Sequence, residues 1–350
     1  MNNLIILSDL ENIYHRGIPW EKLKGKTVLV TGAYGMLASY VVYMLIYLNE
    51  KYDMKIQIIS IVRFKEKYAE RFGKYSEKKY MKLVLGELSN PIDIESDIDY
   101  IIHAASFASP QYYSVCPIDV LSPNVIGTAN LLKLAEEKNV KGFLYFSSGD
   151  VYGSVSEKEE IDESTFGSMD TLAIHNCYSE SKRMAETMCK AWFVQKQVPT
   201  KIARICHTYA PTMNLENDPR VFASFVDDIV NKKNIIMKSD GMAKRSFCYI
   251  ADAVVAYFLI LLKGKPGEAY NVSNTREFYS ISELANVLVS LYPELQLKVV
   301  KKQREVSEAY VENKEANFIP ISSSKLEKLG WCCEYTVKEG FKRVIDYYMT

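Results

Sequence analysis

Apolar runs alternate with amphipathic stretches along the chain from Lys26 onward. The continuous apolar runs, which predict buried strands, are TVLVTG, IQIISIV, LVLGEL, YIIHAA and GFLYFSS. Between them lie segments with helical periodicity, namely AYGMLASYVVYMLIYLNEKY, a charged stretch, and NVIGTANLLKLAEEK. Strands separated by helices are typical of a parallel sheet with both faces covered. We therefore predict an α/β fold built on a doubly wound parallel sheet.

The regular alternation ends near Arg204, where two short strand candidates, IIMK and AYNVS, and one helix candidate, ISELANVLVSLY, follow. This change of pattern predicts a smaller C-terminal lobe at the carboxyl edge of the sheet. The helix-like segment IPWEKLKG near the N-terminus is interpreted as a packing arm, with a regulatory role as the alternative. We divide the chain into an N-terminal extension (1–24), a Rossmann dinucleotide-binding domain (25–205, with 236–262 returning to it), and a substrate-binding lobe (206–235 and 263–350).

Composition narrows the classes of function. The 350 residues include 43 Lys+Arg and 43 Asp+Glu, so the net charge is +0 and the chain lacks the basic excess expected of a nucleic-acid-binding protein. The 7 cysteines are an odd number without a C-x-x-C pair, which is typical of reduced thiols in the cytoplasm and excludes a zinc ribbon. Neither a signal-peptide core nor a run of ~18 apolar residues is present, so we expect no membrane partner and a cytoplasmic location.

A glycine fingerprint lies directly after the first predicted strand. Gly32, Gly35 and Ala38 form G-x-x-G-x-x-A at the opening of a helix. Such glycines allow a tight turn and let the backbone approach a pyrophosphate at the helix N-terminus. The order of strand, turn and helix favours dinucleotide binding over a merely structural turn, and Tyr34 and Met36 are further candidate contacts.

Other candidate cofactor contacts follow the next strands. Arg63 stands where an NAD site usually has a carboxylate; it can bind the 2′-phosphate of NADP, or it can simply begin a solvated basic helix. Glu87, followed by Leu88, is expected near the adenine amino group. Ala104 and Ala105 end the fourth strand with small side chains beside the pyrophosphate. The sequence predicts a nicotinamide dinucleotide and leaves NAD and NADP open.

The candidate catalytic residues are Ser148, Tyr178 and Lys182. Tyr178 and Lys182 are four residues apart, so on a helix they face the same side, and they are also candidate cofactor contacts. An ammonium beside a phenol stabilises the phenolate and is expected to lower the tyrosine pKa, which favours proton abstraction from an alcohol. Lys182 can also hold the nicotinamide ribose, and the hydroxyl of Ser148 can bond the same substrate oxygen. The alternative for Tyr178 is an ordinary surface tyrosine.

These motifs together resemble the extended short-chain dehydrogenase/reductases of the NAD-dependent epimerase/dehydratase family, and most closely their UDP-glucuronate decarboxylase branch. The resemblance spans nearly everything after Lys24 and rests on HAASFASPQYY, PIDVLSPNVIGTANLL, SSGDVYG, NCYSESKRMAETM, RICHTYAP, DPRVFASFV, KRSFCYIADAV and LGWCCEYTVKEGFKRVIDYY. It implies bound NAD, a nucleotide-diphosphate sugar as substrate, and a homodimer. It also implies that Tyr178 deprotonates the sugar 4-hydroxyl while hydride leaves C4.

The resemblance further implies which residues decide the reaction. Dehydratases of this class carry an acid pair after the serine, and decarboxylases a serine and then a glutamate, whereas this chain has Gly149 and Asp150. Gly149 cannot protonate a leaving hydroxyl, which argues against 4,6-dehydration. Asp150 keeps a carboxylate that is one methylene shorter than glutamate. Arg245 matches the arginine near the sugar carboxylate and diphosphate, with a surface charge as the alternative.

Candidate substrate contacts are Ser106, Asn124, His207, Arg220 and Arg245. His207 replaces an asparagine of the family motif, so it is either a hydrogen-bond donor to the substrate or a histidine packed beside its neighbour. Asn124 has either a local hydrogen-bonding role or a helix-cap role.

We predict UDP-glucuronate-decarboxylase-like chemistry that begins with oxidation at C4 of the sugar. A 4-epimerase, 4-dehydrogenase or 4,6-dehydratase is the alternative. A cofactor-binding sensor is the alternative without chemistry. The joint presence of Ser148, Tyr178 and Lys182 argues against a sensor, which has no use for a phenolate.

Overall fold

The computed structural model describes residues 3–156, 158–218, 220–302 and 319–350. The elements up to the middle of the chain are α1 (Leu4–Tyr14), β1 (Thr27–Thr31), α2 (Met36–Tyr52), β2 (Gln57–Val62), α3 (Lys65–Phe72), β3 (Met81–Leu85), β4 (Tyr100–His103), α4 (Pro117–Glu137), β5 (Gly142–Ser148) and α5 (Cys177–Lys196). They are followed by β6 (Thr200–Ile205), β7 (Thr208–Tyr209), α6 (Val221–Val230), β8 (Ile235–Met237), β9 (Lys244–Ser246), β10 (Cys248–Tyr249), α7 (Ile250–Lys263), β11 (Glu268–Val272), β12 (Phe278–Ser280), α8 (Ile281–Ser290), β13 (Val299–Lys301), α9 (Ser324–Glu327) and α10 (Val337–Met349).

The central sheet has seven strands in the order β11-β6-β5-β4-β1-β2-β3, and every neighbouring pair is parallel. The predicted doubly wound parallel sheet is therefore confirmed. The strand order reverses between β1 and β4, which is where ligands bind in open α/β sheets, beyond the carboxyl ends of the strands.

Two apolar cores cover the two faces of this sheet. Val28 and Val30 of β1 pack in the core that contains α2 and α7, whereas Leu29 packs in the core that contains α4 and α5. Successive strand residues point to opposite faces, so strands buried on both sides must be apolar at every position. This explains the continuous apolar runs in the sequence.

The C-terminal lobe is built from small two-stranded pairings. β7 pairs with β10 and β8 with β13 in parallel, and β9 pairs with β12 in antiparallel. One segment expected in this lobe lies elsewhere, because β11, which contains AYNV, is the edge strand of the central sheet beside β6. β11 thus pairs outside the predicted lobe, whereas β9 and β10, which lie in the segment 236–262 predicted to return to the Rossmann domain, pair with β12 and β7. The domain boundaries stay a prediction, and 303–318 lie outside the described residues.

The N-terminal extension also differs from its prediction. IPWEKLKG forms only a short 3-10 turn at Trp20–Leu23, and the α-helix of this region is the preceding α1. The side chain of Asn3 caps α1, and Ile6, Leu10 and Ile13 bury one face of it in the core. Residues 1–2 lie outside the described residues.

A buried carboxylate fixes α1 to the rest of the protein. Asp9 accepts hydrogen bonds from the Tyr40 hydroxyl (2.9 Å), the Tyr249 hydroxyl (2.7 Å) and Arg343 Nε (2.9 Å). These partners belong to α2, the start of α7, and α10, so one side chain joins four helices. In the described part of the chain, no helix is long and apolar enough to cross a bilayer.

Candidate active site

The glycine turn between β1 and α2 has the shape that a dinucleotide requires. Gly32 has φ +64°, and a Cβ there would lie 2.9 Å from Ala105 Cα, so only glycine fits. Gly35 N–H donates to Gly32 O at 2.8 Å, and no side chain of the described residues caps the start of α2. Tyr34 and Met36 are half-buried beside the turn. The free backbone N–H groups of this helix terminus fit a phosphate.

The end of β4 is held against this turn by a threonine. The backbone N–H groups of Ala104 and Ala105 both donate to Thr31 Oγ1 at 3.1 Å. Their small side chains leave room for the Gly32 backbone, which approaches closely. The geometry agrees with a pyrophosphate at this point, and the contacts of Gly32, Ala104 and Ala105 with the cofactor stay predictions.

An ion pair lies where the adenosine part of the cofactor is expected to bind. Arg63 Nη1 lies 3.8 Å from Glu87 Oε1, and the guanidinium is 4.3 Å from the ring centroid of Phe107. Leu88, beside Glu87, is buried. A carboxylate and an aromatic ring thus contact Arg63, and its two predicted roles, a 2′-phosphate ligand or the start of a solvated helix, stay predictions.

The candidate proton-transfer residues meet at the carboxyl edge of the sheet. Ser148 is the last residue of β5, and Tyr178 and Lys182 lie in the first two turns of α5. Lys182 Nζ lies 5.6 Å from the Tyr178 ring centroid and donates to Phe146 O at 2.7 Å. The Tyr178 ring also stacks on Tyr113, with centroids 5.1 Å apart and planes at 8°.

The pKa values of these groups differ from the sequence-based expectation. Burial raises the pKa of Tyr178, the charge of Asp150 raises it further, and a hydrogen bond with Ser148 lowers it. Burial also lowers the pKa of Lys182 to about 7. This direction is opposite to the depressed tyrosine pKa expected from the sequence, because desolvation of the phenolate outweighs the hydrogen bond with Ser148.

The candidate substrate residues surround the same edge. Burial raises the pKa of the Asp150 carboxyl, against the lowering effect of the Arg245 charge and of a hydrogen bond with Ser148. His207 is exposed, its ring lies edge-on to Phe247 with centroids 6.3 Å apart, and desolvation and the charges of Arg245 and Arg220 lower its pKa to about 3. Arg245 is therefore near enough to act on the charges of both Asp150 and His207.

Arg220 connects the lobe to the cofactor turn. It precedes α6, its Nε donates to Asp218 Oδ1 at 2.8 Å, and its Nη2 lies 3.5 Å from Met36 Sδ. The buried Ser106 hydroxyl has no hydrogen-bond partner within the described ranges, which suits a ligand-facing group.

Asn124 is not a helix cap. It lies inside α4, which begins at Pro117, and its Nδ2 donates to Val120 O (3.1 Å) and Ser181 Oγ (2.9 Å). The cap alternative is therefore wrong, and the local hydrogen-bonding alternative agrees with the structure.

Little space is left for a side chain at residue 149. A Cβ on Gly149 would lie 3.2 Å from both Cys206 Sγ and Ile321 Cδ1. Both contacts are tighter than usual, so a longer acidic side chain would have to displace its neighbours.

Sequence reasoning missed Tyr113 and Phe107, which contact Tyr178 and Arg63 respectively. Both belong to the segment SFASPQYY after β4. They could have been found from the sequence, because aromatic residues directly after a parallel strand lie at the edge of the sheet where ligands bind.

The fold and this edge define a dinucleotide-binding enzyme with a Tyr-x-x-x-Lys pair. The sequence profile of the NAD dependent epimerase/dehydratase family matches residues 28–273, and the chain belongs to this family. The predicted family and its NAD-dependent, Rossmann-type enzyme are thereby confirmed.

Relatives within the family differ in their reactions. UDP-glucuronic acid decarboxylase 6 of Arabidopsis thaliana is 29% identical over 313 residues, which cover 89% of this chain and 86% of that protein. The human dTDP-D-glucose 4,6-dehydratase is 29% identical over 344 residues, which cover 94% of this chain and 92% of that protein. The crystal structure of UDP-glucuronic acid 4-epimerase from Bacillus cereus, in complex with UDP-glucuronic acid and NAD, is 17% identical, has a TM-score of 0.73, and covers 92% of this chain and 98% of that one. The fold is thus shared by enzymes with three outcomes.

Proposed function

We propose that this enzyme oxidises C4 of a nucleotide-diphosphate sugar and that its principal reaction is decarboxylation of UDP-glucuronate. The observation that carries the proposal is the meeting of Ser148, Tyr178 and Lys182 at one sheet edge, with Asp150 and Arg245 beside them. Substrate binding by Ser106, Asn124, His207 and Arg220 belongs to the same proposal.

In this proposal the chain's own groups handle the substrate. The nicotinamide, when bound along Gly32, Tyr34, Gly35, Met36, Ala104 and Ala105, supplies the hydride acceptor and later the donor. The Ser148 hydroxyl bonds the sugar O4, and Tyr178 takes the proton of that hydroxyl. Lys182 favours the phenolate when its ammonium is charged. The Arg245 guanidinium pairs with the sugar carboxylate until carbon dioxide leaves, and the Asp150 carboxyl, when protonated, supplies the proton that C5 takes up in its place.

The space around Gly149 supports decarboxylation over 4,6-dehydration. Dehydration needs an acid to protonate the departing hydroxyl, and glycine has none. Cys206 and Ile321 occupy the space that a side chain at residue 149 would enter, so the carboxyl nearest in the chain is that of Asp150. Decarboxylation releases carbon dioxide, which needs no proton in order to leave.

The second candidate is 4-epimerisation or 4-dehydrogenation. It is favoured by the completeness of the Ser148, Tyr178 and Lys182 set, which is sufficient for oxidation and reduction at C4. It needs neither an acid at residue 149 nor the longer reach of a glutamate at Asp150.

The test is incubation of the purified protein with UDP-glucuronate, UDP-glucose and dTDP-glucose, followed by mass spectrometry of each sugar. Loss of carbon dioxide from UDP-glucuronate is the expected result. An unchanged mass with a new chromatographic position would instead support epimerisation. Loss of water would overturn the argument from Gly149, and no conversion of any sugar would overturn the proposal.

We infer that the bound cofactor is NAD rather than NADP. A 2′-phosphate on Arg63 would lie beside the Glu87 carboxylate, and two anions at this distance repel. Denaturing the purified protein and identifying the released dinucleotide should give NAD. If NADP is released instead, and Arg63→Ala weakens NADP more than NAD, Arg63 is a phosphate ligand.

We also propose a homodimer formed through α4 and α5. Both helices expose apolar side chains, with exposed fractions of 73% for Ile118, 48% for Ile126, 51% for Met184 and 63% for Val194. Light scattering should give twice the chain mass, and Ile126→Glu should give a monomer. The matched control Met242→Glu changes an apolar side chain of similar exposure, 58%, outside α4 and α5 and should leave the mass unchanged.

A cytoplasmic location is proposed from the cysteines, all of which are free thiols. Fractionation of cells with an antibody against the native chain tests it, and recovery outside the cytoplasm would contradict it.

A further inference from the structure

A buried hydrogen-bonded chain begins beside the cofactor turn. Thr31, the last residue of β1, accepts from the N–H groups of Ala104 and Ala105, both at 3.1 Å. Its oxygen also lies 2.9 Å from His103 Nδ1. On the far side of the ring, His103 Nε2 lies 3.1 Å from Thr128 Oγ1 on α4. Thr31, His103 and Thr128 are all buried, so water does not complete these bonds.

Counting donors and acceptors fixes the proton positions in this chain. Thr31 Oγ1 already accepts two hydrogen bonds, so its single proton must be donated to His103 Nδ1. The proton of a neutral imidazole then sits on Nε2 and is donated to Thr128 Oγ1. Thr128 in turn donates to Asn124 O. Burial and the charge of Lys182 lower the pKa of His103 to about 3, against the raising effect of a hydrogen bond with the Pro123 backbone on α4, and this direction agrees with a neutral ring.

The chain continues from α4 to the tyrosine on α5. Asn124 Nδ2 donates to Ser181 Oγ at 2.9 Å, and Ser181 Oγ donates to Tyr178 O at 2.6 Å. The backbone at Tyr178 is therefore connected, through Ser181, Asn124, Thr128 and His103, to the strand end from which the glycine turn begins. If His103 Nε2 carried no proton, this hydrogen-bonded chain would be interrupted between His103 and Thr128.

We propose that His103, neutral and protonated on Nε2, is a positioning residue that holds the cofactor turn and Tyr178 at a fixed separation. The inference rests on the proposed function, because oxidation at C4 removes a proton toward Tyr178 and a hydride toward the nicotinamide from one alcohol. The two acceptors must be placed together, and a misplacement of about 1 Å costs on the order of 10²-fold in rate.

Thr128→Val tests this role with little change of shape. It removes the acceptor of His103 Nε2–H and the bond to Asn124, and the β-branched side chain keeps its volume. The matched control is Thr200→Val, which removes the hydrogen bond of another buried threonine, at the start of β6, to Cys189 O at 2.8 Å. His103→Phe is a second variant, which keeps a ring but removes both bonds.

Two measurements are made on the folded holoenzyme. The first is single-turnover oxidation of UDP-glucuronate with hydrogen or deuterium at C4, where Thr128→Val should be ~10- to 100-fold slower with a larger isotope effect, because transfer from C4 becomes limiting. Thr200→Val should keep the wild-type rate and isotope effect. Equal effects of the two substitutions, or a wild-type rate in both Thr128→Val and His103→Phe, would overturn the positioning role.

The second measurement needs no sugar. It is the rate at which bound NAD exchanges with excess labelled NAD, which should rise several-fold in Thr128→Val and His103→Phe and stay unchanged in Thr200→Val. If no sugar is oxidised by the wild type, the proposed function fails, and this exchange rate alone decides whether His103 supports the cofactor turn. Unchanged exchange in both variants would then overturn the inference.

Discussion

Tyr178 and Lys182 are both almost completely buried, and burial disfavours the charged form of each group. The phenol pKa is consequently raised, while that of the ammonium is lowered to about 7. Lys182 has one strong acceptor, Phe146 O, and this bond keeps its nitrogen in place in either protonation state. At the scale of single residues, the positions of these two groups are therefore preorganised, while burial favours the neutral form of each.

Tyr178→Phe should reduce turnover by about 10²–10⁴-fold, since it removes the proton acceptor and leaves the ring stacked on Tyr113. The bound dinucleotide should remain, because only the hydroxyl is lost. Turnover of the panel sugars and the absorbance of released cofactor check both statements. A wild-type rate would contradict the catalytic assignment of Tyr178.

The burial of Lys182 predicts a pH-dependent stability. Below pH 7 the lysine is protonated in both folded and unfolded chains, and the buried charge destabilises the fold. Between pH about 7 and about 10 the unfolded chain binds a proton that the folded chain has lost, so the stability contributed by this group rises with pH. Urea unfolding should show that Lys182→Met is more stable than the wild type near pH 7 and that this difference narrows toward pH 10. A constant difference would contradict the lowered pKa.

Asp150 decides between the two candidate reactions. If the enzyme works next to the sugar carboxylate, Asp150→Asn should stop product formation but still permit oxidation at C4. Asp150→Glu should then speed the reaction if reach is limiting, or slow it by crowding. Unchanged product yield in both variants would make Asp150 a bystander and favour epimerisation.

At the scale of elements, α1 behaves as an integral part of the domain. Its apolar face is buried, and Asp9 joins it to α2, the start of α7 and α10. These contacts favour the packing role over the regulatory role for the N-terminal extension, although the helix lies before the predicted segment.

Asp9→Ala should destabilise the fold by about 3 kcal/mol, since it leaves two buried tyrosine hydroxyls and one arginine without their acceptor. Glu11→Ala on the same helix is the control, because its ion pair with Lys51 is exposed to solvent and its loss should cost much less stability. Chemical unfolding of both variants measures the difference. Similar stabilities would mean that Asp9 does not anchor α1.

The predictable elements were those with a repeating pattern. Continuous apolar runs located β1, β2, β4 and β5, because a strand that is buried on both faces needs apolar side chains at nearly every position. The start of α4 at Pro117 was missed because Pro123 inside the helix interrupts the pattern. The place of β11 was missed because a short apolar run does not tell which sheet it joins; its pairing with β6 is a long-range contact.

At the scale of the whole molecule, the parallel sheet brings distant sequence positions to one edge. Gly32, Ser148 and Tyr178 could be singled out from the sequence, because each belongs to a short motif whose residues are close together along the chain. The stacking of Tyr113 on Tyr178 and the pairing of Arg63 with Glu87 were not predictable, since they depend on how loops from different strands meet. The raised pKa of Tyr178 was also missed, because burial depends on the complete fold rather than on a neighbour four residues away.

The central claim is that a sugar is oxidised at C4 at the carboxyl edge of the central sheet and is reduced again before release. The most direct test mixes the holoenzyme with UDP-glucuronate deuterated at C4, quenches it at intervals, and analyses cofactor and sugar by mass spectrometry. Deuterium should appear in the nicotinamide during the turnover and return to C4 of the product. Product that forms while the nicotinamide never acquires deuterium would contradict this account.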